Sequence, residues 1–362
     1  MIRVASIPGK RYKPNRFFKL FCGALEAKGV TIIDPRSLSF LFFRFDVLIV
    51  HFPEHQVTEK LQAFRAFLSA TKFLSVLFIS RVTGRKIIWA VHNVRPFKKR
   101  HLWLLQPYMG MVLYLADGLI FFSRASKAQF DTDFCKFRTK PSVISHHGAY
   151  PVSLSRNHEC LPKKCLDVPK GDLVIGYLGD IKEYKNIAAL KDLPIVVNNE
   201  LPIKIIVAGK PDEQTTELAN QVIGSLDEAR VIRINNRLTD SELDELLRSC
   251  DASFLPYSES YNSGAAILAL SNHTRVIASK QPIFQEMADH FGNFWIKTYE
   301  SKFELHKAVV QISNEKLSES KIADLDRLLA GLTFESAADI HVQFFRSLGC
   351  RFSPLIKAIH KF

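Results

Sequence analysis

Polar residues gather just beyond short apolar runs, at the points where a side chain leaving a sheet can meet a ligand. The run Val47 to Val50 is followed by His51, Phe52, Pro53, Glu54 and His55, Lys86 to Val91 by His92 and Asn93, and Ser142 to Ser145 by His146, His147 and Gly148. Histidine and glutamate in such places suit proton transfer or hydrogen bonding to a hydroxyl substrate. A fourth run, LVIGYLG, leads into DIKEYKN, which sets Lys182 and Lys185 three apart so that both ammonium groups can approach one anion. A fifth, ASFLPY, leads to Asn262, Ser263 and Gly264, immediately before the apolar stretch AAILAL. A small-residue turn opening a helix leaves backbone N–H groups without intrahelical acceptors, an arrangement suited to phosphate. Alone, the same pattern describes an ordinary βα turn, and exposed lysines alone are usually solvated.

These residues must be positioned by strands, and the alternation of short apolar runs with helical stretches predicts them. In the first half, strands are expected at Ile2 to Ser6, Val30 to Ile33, Val47 to Val50, Lys86 to Val91, Gly118 to Phe122 and Ser142 to Ser145. Helices between them give a doubly wound parallel sheet. Residues 151–170 are rich in proline and polar residues and read as a linker. Beyond it LVIGYLG, IKIIVAG, ARVIRI, ASFLPY and RVIAS repeat the α/β pattern, with helical runs such as Asp240 to Cys250 between them. The organisation expected is a Rossmann-like domain over 1–150, a linker over 151–170, a second such domain over 171–334 and a closing helical segment over 335–362. Two such α/β domains in series would face each other across a cleft, with ligands beyond the carboxyl ends of the strands.

Charge is unevenly placed. The chain carries 49 Lys+Arg against 36 Asp+Glu, but residues 1–150 hold 24 against 8 and the remainder 25 against 28. The whole basic excess therefore lies in the first half, which points to an anionic membrane surface or a phosphorylated substrate. Nucleic acid is disfavoured, because no zinc-finger spacing, RNP-like aromatic run or basic zipper is present. Leu61 to Val82 and His101 to Leu115 are strongly apolar, but Arg65, Lys72 and Arg81 interrupt the first. Neither gives a clean span of about 20 residues. An interfacial helix and a core-facing helix of a Rossmann-like domain both remain open. The first 21 residues lack the apolar run of a signal peptide, so a cytoplasmic protein is expected. Six cysteines show no metal-ligand spacing. The Asp131/Asp133 and Asp324/Asp326 pairs fall in helical stretches and read as solvated surface charges.

In order, FDVLIVHFPEH, IIWAVHNVRPF, ADGLIFFS, HHGAY, YLGDIKEYKNI and LPYSESYNSGAAILALSNHTRVIAS make the chain resemble GT-B glycosyltransferases of bacterial surface and exopolysaccharide synthesis. It is most like the membrane-associated β-mannosyltransferase type of xanthan assembly. The resemblance covers most of the chain. It implies a nucleotide-sugar donor, with GDP-mannose as first expectation, bound by the second domain, and a lipid-linked oligosaccharide or other saccharide acceptor held by the first. Lys182 and Lys185 then match basic residues near the donor diphosphate, and Asn262, Ser263 and Gly264 its phosphate-facing turn. The basic first half would attract anionic lipid and the acceptor's diphosphate.

Departures from the related retaining pattern are as informative. Two glutamates eight positions apart are expected there, and Ser260 and Leu268 occupy those places. Glu259 is one residue from the first and is the candidate substitute. Losing the pair favours an inverting, single-displacement reaction, which needs a base on the acceptor side. Glu54, matching the family's HWPE glutamate, is that candidate, with His92 in reserve. Phe52 and Phe97 replace other residues of the family pattern, so acceptor recognition is expected to differ. No metal cofactor is expected, since basic residues and a helix N-terminus can neutralise a leaving diphosphate. The rival readings are a GT-B-like sugar-nucleotide epimerase and a non-catalytic basic protein that binds membrane or nucleic acid.

Overall fold

The computed structural model describes residues 2–10, 12, 15–34, 45–152, 168–169, 171–197 and 201–350. The chain forms two compact units: Met1–Gly148 with the segment from Leu332 onward, and Ala149–Gly331. Most of the expected linker, residues 153–167 and 170, lies outside the described residues, as do Cys160 and Cys165 and positions 351–362 of the closing segment.

In the first unit β1 (Arg3–Ile7), β2 (Thr31–Ile33), β3 (Val47–Val50), β4 (Lys86–Val91), β5 (Gly118–Phe121) and β6 (Ser142–Ile144) pair in the order β2-β1-β3-β4-β5-β6, all parallel. Between them run α1 (Arg16–Ala27), α2 (His55–Thr58), α3 (Ala63–Val82), α4 (Leu102–Leu115) and α5 (Arg124–Asp133). β3 and β5 are buried along their whole length. That is why they read as unbroken apolar runs instead of alternating ones: a parallel sheet has both faces covered.

The second unit repeats the plan with β7 (Leu173–Leu178), α6 (Asp192–Val197), β8 (Ile203–Ala208), α7 (Thr216–Gly224), β9 (Val231–Ile234), α8 (Asp240–Ser249), β10 (Ala252–Leu255), α9 (Gly264–Ser271), β11 (Arg275–Ser279), α10 (Pro282–Phe291), β12 (Ile296–Tyr299), α11 (Lys302–Asn314) and α12 (Glu319–Ala330). Its strand order is β12-β11-β10-β7-β8-β9, parallel throughout. The order reverses between β7 and β10, which opens a crevice at their carboxyl ends. Helix starts follow side-chain caps: Ser263 begins α9, Ser301 α11, Ser318 α12, and Thr239 with Glu242 forms a capping box at α8.

β12 is a strand that the apolar pattern did not predict. Lys297 interrupts its sequence, yet this lysine is only 6% exposed, its ammonium 3.0 Å from a Glu315 carboxylate oxygen and bonded to the Asn293 carbonyl. A paired cation thus occupies a core position. The last described helix, α13 (Phe334–Ser347), packs with α1 in the first unit and brings Phe344 against Gly118, where an added Cβ would fall 2.6 Å from the ring.

α3 shows how an apolar run without clear periodicity arises. Ala66, Ala70, Phe73, Val76, Leu77 and Ser80 face the interior, while Phe64, Phe67, Leu68, Phe78, Ile79 and Val82 form a second stripe that is exposed. Two apolar stripes on one helix cancel the amphipathic signal. Among the described residues α3 alone is long and apolar enough to cross a membrane, although its inward stripe is spent on the unit's own core.

Candidate active site

Each unit concentrates polar groups where its strand order reverses. In the first, that place lies between β1 and β3. Glu54 follows β3 by four residues and is only 4% exposed. Its Oε1 accepts a hydrogen bond from Asn93 Nδ2 at 3.1 Å, while Oε2 is buried with no hydrogen-bond partner. Burial, opposed in part by the Asn93 bond, pushes the carboxyl up to about 7. A carboxyl that exchanges its proton near neutrality is suited to general-base work.

His92 is half-buried at the end of β4, and its ring is sandwiched between Phe52 and Phe122 with centroids 4.6 Å away on each side. His92 Nε2 lies 2.9 Å from His51 Nδ1, and His51 Nε2 lies 3.1 Å from Ser6 Oγ on β1. The sequence-predicted Glu54 and His92 therefore stand in one neighbourhood, joined through adjacent residues Phe52 and Asn93. Phe17, Phe18 and Phe21 of α1 pack edges and faces against these imidazoles. Burial holds the histidines neutral: His51 is pushed down to about 3, His147 to about 4, and His92 well below its ordinary value.

Sequence reasoning missed the α1 phenylalanines and His341 of α13. His341 is 1% exposed, packs 5.2 Å from Phe21, and neither of its ring nitrogens has a hydrogen-bond partner. The signal was available, since His341 falls on the apolar stripe of α13 with Phe334, Ala337, Ala338, Val342 and Phe345. That stripe pointed to a helix contact and not to a neighbouring cluster of histidines.

In the second unit the loops after β7 and β10 are tied together. The Tyr184 carbonyl accepts from Ser258 N at 2.8 Å and from Ser258 Oγ at 3.2 Å. Lys185 is half-buried with its ammonium 5.9 Å from the centre of the Tyr257 ring, and it makes no ion pair among the described residues. Burial first, then the neighbouring Lys182, pushes its pKa down to about 8. The Tyr257 hydroxyl is buried without a hydrogen-bond partner. A half-desolvated cation beside an unsatisfied hydroxyl is an environment that an anionic ligand completes.

Ser263 caps α9 by accepting from Ala266 N at 3.1 Å, which leaves the N–H groups of Gly264 and Ala265 to point out of the helix start. Asn262 and Gly264 are half-buried in the same turn. Lys182 is exposed, so the two lysines do not share one environment. Glu259 is half-buried in the loop before the turn. Ser260 is buried, its hydroxyl 3.4 Å from the Asn262 carbonyl, and Leu268 is half-buried on α9, so neither matched position supplies a carboxylate.

Close backbone approach shapes this edge too. Gly209 after β8 has φ +145, and a Cβ there would sit 2.2 Å from the Gly179 carbonyl oxygen. Only glycine fits. Of the Asp-x-Asp pairs, Asp324 and Asp326 are exposed surface charges as the sequence suggested, whereas Asp131 and Asp133 are half-buried, and all four have basic neighbours. Asp131 binds Lys127, Asp133 binds Arg95 through both oxygens, Asp324 binds Arg327 and Asp326 lies 2.8 Å from His273 Nε2. Among the described residues no group of three His, Cys, Asp or Glu is placed to hold a metal ion.

Residues 163–324 match the family model described as glycosyl transferases group 1. The chain is 23% identical over 296 residues to the GDP-mannose:glycolipid 4-beta-D-mannosyltransferase of Xanthomonas campestris pv. campestris, covering 81% of this chain and 78% of that protein. A sucrose-phosphate synthase from Thermosynechococcus elongatus has a similar fold, with TM-score 0.69 at 13% identity over 96% of this chain and 99% of that one. Anabaena HepE in complex with UDP gives 0.67 at 14% identity, covering 96% of this chain and all of that one. The two parallel six-stranded units are therefore those of the GT-B fold. The protein is an enzyme, a glycosyltransferase.

The raised pKa of Glu54 has a measurable sign. A carboxyl whose folded value lies above its unfolded one favours the folded state most below the unfolded value and loses that contribution as pH rises. Between about pH 4.5 and about 7, wild type therefore loses stability through Glu54. Glu54→Gln keeps the bond from Asn93 without the charge. Its thermal midpoint should match wild type at the acid end of that window and exceed it by several degrees above neutrality, as followed by circular dichroism.

Proposed function

We propose that the protein transfers mannose from GDP-mannose to a lipid-linked saccharide at the cytoplasmic face of a membrane, with inversion and without a metal ion, in surface polysaccharide synthesis. Sugar transfer from a nucleotide sugar is the coarser reading, supported by the group 1 match and the mannosyltransferase relative. The observation that carries it is Lys185: a half-desolvated ammonium against Tyr257, at the reversal point of a doubly wound sheet and beside the α9 start. A nucleoside diphosphate placed there meets a cation and directed N–H donors together.

Inversion is supported by Glu54 and by the absence of carboxylates at Ser260 and Leu268. With its pKa near neutrality and Oε2 unpaired, Glu54 can accept the proton of an attacking acceptor hydroxyl while the donor C1–O bond breaks and the nucleoside diphosphate departs. Independence from metal is supported by Lys185, which offers positive charge to the leaving diphosphate, and by the engagement of all four Asp-x-Asp carboxylates with basic partners. Mannose and the glycolipid acceptor rest on the relative at 23% identity.

Membrane association is supported by the outward face of α3 and α4. Phe64, Phe67, Leu68 and Phe78 of α3 and Trp103, Met111 and Tyr114 of α4 are all more than half exposed. Arg65 and Lys72, exposed on the same helix, make no ion pairs among the described residues. Aromatic and aliphatic groups interleaved with cations match an anionic interface, and the inward stripe of α3 favours lying on the bilayer over crossing it.

Three outcomes are expected. Glu54→Gln should lower the rate of mannosyl transfer about a hundredfold with donor affinity unchanged, and near-normal turnover would remove Glu54 from the role. Lys185→Ala should weaken GDP-mannose binding by about tenfold or more, measured calorimetrically in the presence of chelator, with Lys182→Ala having the smaller effect. On vesicles, wild type should float with phosphatidylglycerol liposomes and less with phosphatidylcholine alone. A Phe67→Asp/Trp103→Asp variant should stay in the soluble fraction while retaining donor binding.

A further inference from the structure

Residues 151–362 carry 25 Lys+Arg against 28 Asp+Glu, yet a groove in the second unit, about 690 Å3 in volume, is lined by four lysines and only two glutamates. It runs between β12, α11 and the start of α12. β12 is the outermost strand of its sheet, with β11 between it and β10, so the groove lies apart from the crevice where Lys185 stands. The floor is a buried cation. Lys297 is bonded to the Asn293 carbonyl at 3.1 Å, and its ammonium lies 3.1 and 3.0 Å from the two carboxylate oxygens of Glu315. Beside it Phe294 meets a second one: Arg275 is 7% exposed, with its guanidinium 5.7 Å from the ring centre. Arg275 donates to the carbonyls of Asp251, Ile312 and Glu315 and makes no ion pair among the described residues. Two buried cations thus have one directly paired carboxylate between them, on a residue that is only half-buried. Buried charge without a counter-charge is costly, and an anion in the groove supplies one.

The rim adds donors that have nothing to hold. Lys307 on α11 and Lys316 just after it are exposed and make no ion pair among the described residues. Lys321 on α12 has no carboxylate partner among them either, and its ammonium stands 5.1 Å from the centre of the Phe294 ring. Thr298 Oγ accepts from Gln285 Nε2 at 2.7 Å, which leaves its own hydrogen to donate. Of the two glutamates, Glu315 is engaged by Lys297, and Glu304 Oε2 accepts from Glu300 N at 2.7 Å. A single inward lysine would serve to guard the free edge of β12 against pairing with another strand. That purpose does not account for three more along the same groove.

We propose that this groove binds a small soluble organic anion carrying two phosphate groups, at a site separate from the donor crevice. Three ammonium groups without carboxylate partners exceed the charge of one phosphate dianion, and two phosphates match them. The volume falls in the range of pockets that take molecules of that size. Lys307, Lys316 and Lys321 supply the charge, and Thr298 adds one directed hydrogen bond. The inference does not rest on the glycosyl-transfer reading.

The test is calorimetric titration of the full chain with inorganic pyrophosphate, in chelator and with excess GDP present to fill the donor crevice. One further site should appear, with an affinity at least about tenfold above that for sulfate at equal ionic strength. Lys307→Ser/Lys316→Ser should weaken pyrophosphate about tenfold or more, the worth of a charged hydrogen bond, and leave GDP affinity unchanged. Lys185→Ala should do the reverse. Because both groove lysines are exposed and unpaired, the double variant should keep the wild-type thermal midpoint, so lost binding cannot be put down to lost folding. Absence of a second site, equal affinity for sulfate, or pyrophosphate binding untouched by the double variant means an adventitious ion only and overturns the proposal. Loss of flotation with phosphatidylglycerol vesicles in the double variant would assign the groove to a lipid headgroup and overturn the soluble ligand. Failure of GDP to bind overturns the donor reading, while the effect of the double variant on pyrophosphate still decides the groove.

Discussion

A parallel sheet sends the carboxyl end of every strand to one edge, and the chemistry of this protein depends on that constraint. Connections between parallel strands must cross over a face, so both faces are covered and only the edge is left for a ligand. Where the strand order reverses, two neighbouring loops diverge in opposite directions and leave a crevice. Both units place their unusual polar groups at that point: Ser6 and His51 on β1 and after β3 in one, Lys185 and Ser258 after β7 and β10 in the other. The backbone bond from His51 N to the Ile7 carbonyl, 3.0 Å, shows how the ladder itself holds the first of these loops.

A single physical effect, loss of water, then sets the character of each group. It favours the uncharged form, so it drives the Glu54 carboxyl up toward neutrality and the Lys185 ammonium and four buried or half-buried histidines down. The result is a first unit whose polar centre holds neutral imidazoles and a carboxyl that is only partly ionised at neutral pH, in spite of the unit's large basic excess. The cations that make up that excess include exposed ones on α3, such as Arg65 and Lys72. Long-range attraction and local proton chemistry are thereby assigned to different layers of the same unit.

Much of this was legible in the sequence because strands buried on both faces announce themselves as apolar runs. All six strands of the first unit and five of the second fall within two residues of where those runs lie. β12 was not legible, because its buried lysine depends on an ion pair with the half-buried Glu315, 18 positions away. The candidate groups at strand ends were found by position alone, whereas Ser6 stood inside a run and gave no sign of its bond to His51. α3 was ambiguous for a physical reason: the sequence could not separate an exposed apolar stripe from a core stripe because the helix has both. Clustering of His341 with Phe21 was out of reach, since it joins residues 320 positions apart.

That last contact carries a consequence for how the enzyme is made. The polypeptide leaves the first unit at Gly148 and rejoins it only from Leu332, so the whole second unit is an insertion between two parts of the first. During synthesis Phe17, Phe21 and the imidazoles beside them are made early, but Phe334 and His341, which pack against Phe17 and Phe21, emerge only after the second unit. The aromatic contacts around the histidines are therefore completed by a helix synthesised after the second unit. A nascent chain stalled anywhere in the second unit would carry a complete set of strands in the first with its most water-sensitive groups still open to solvent.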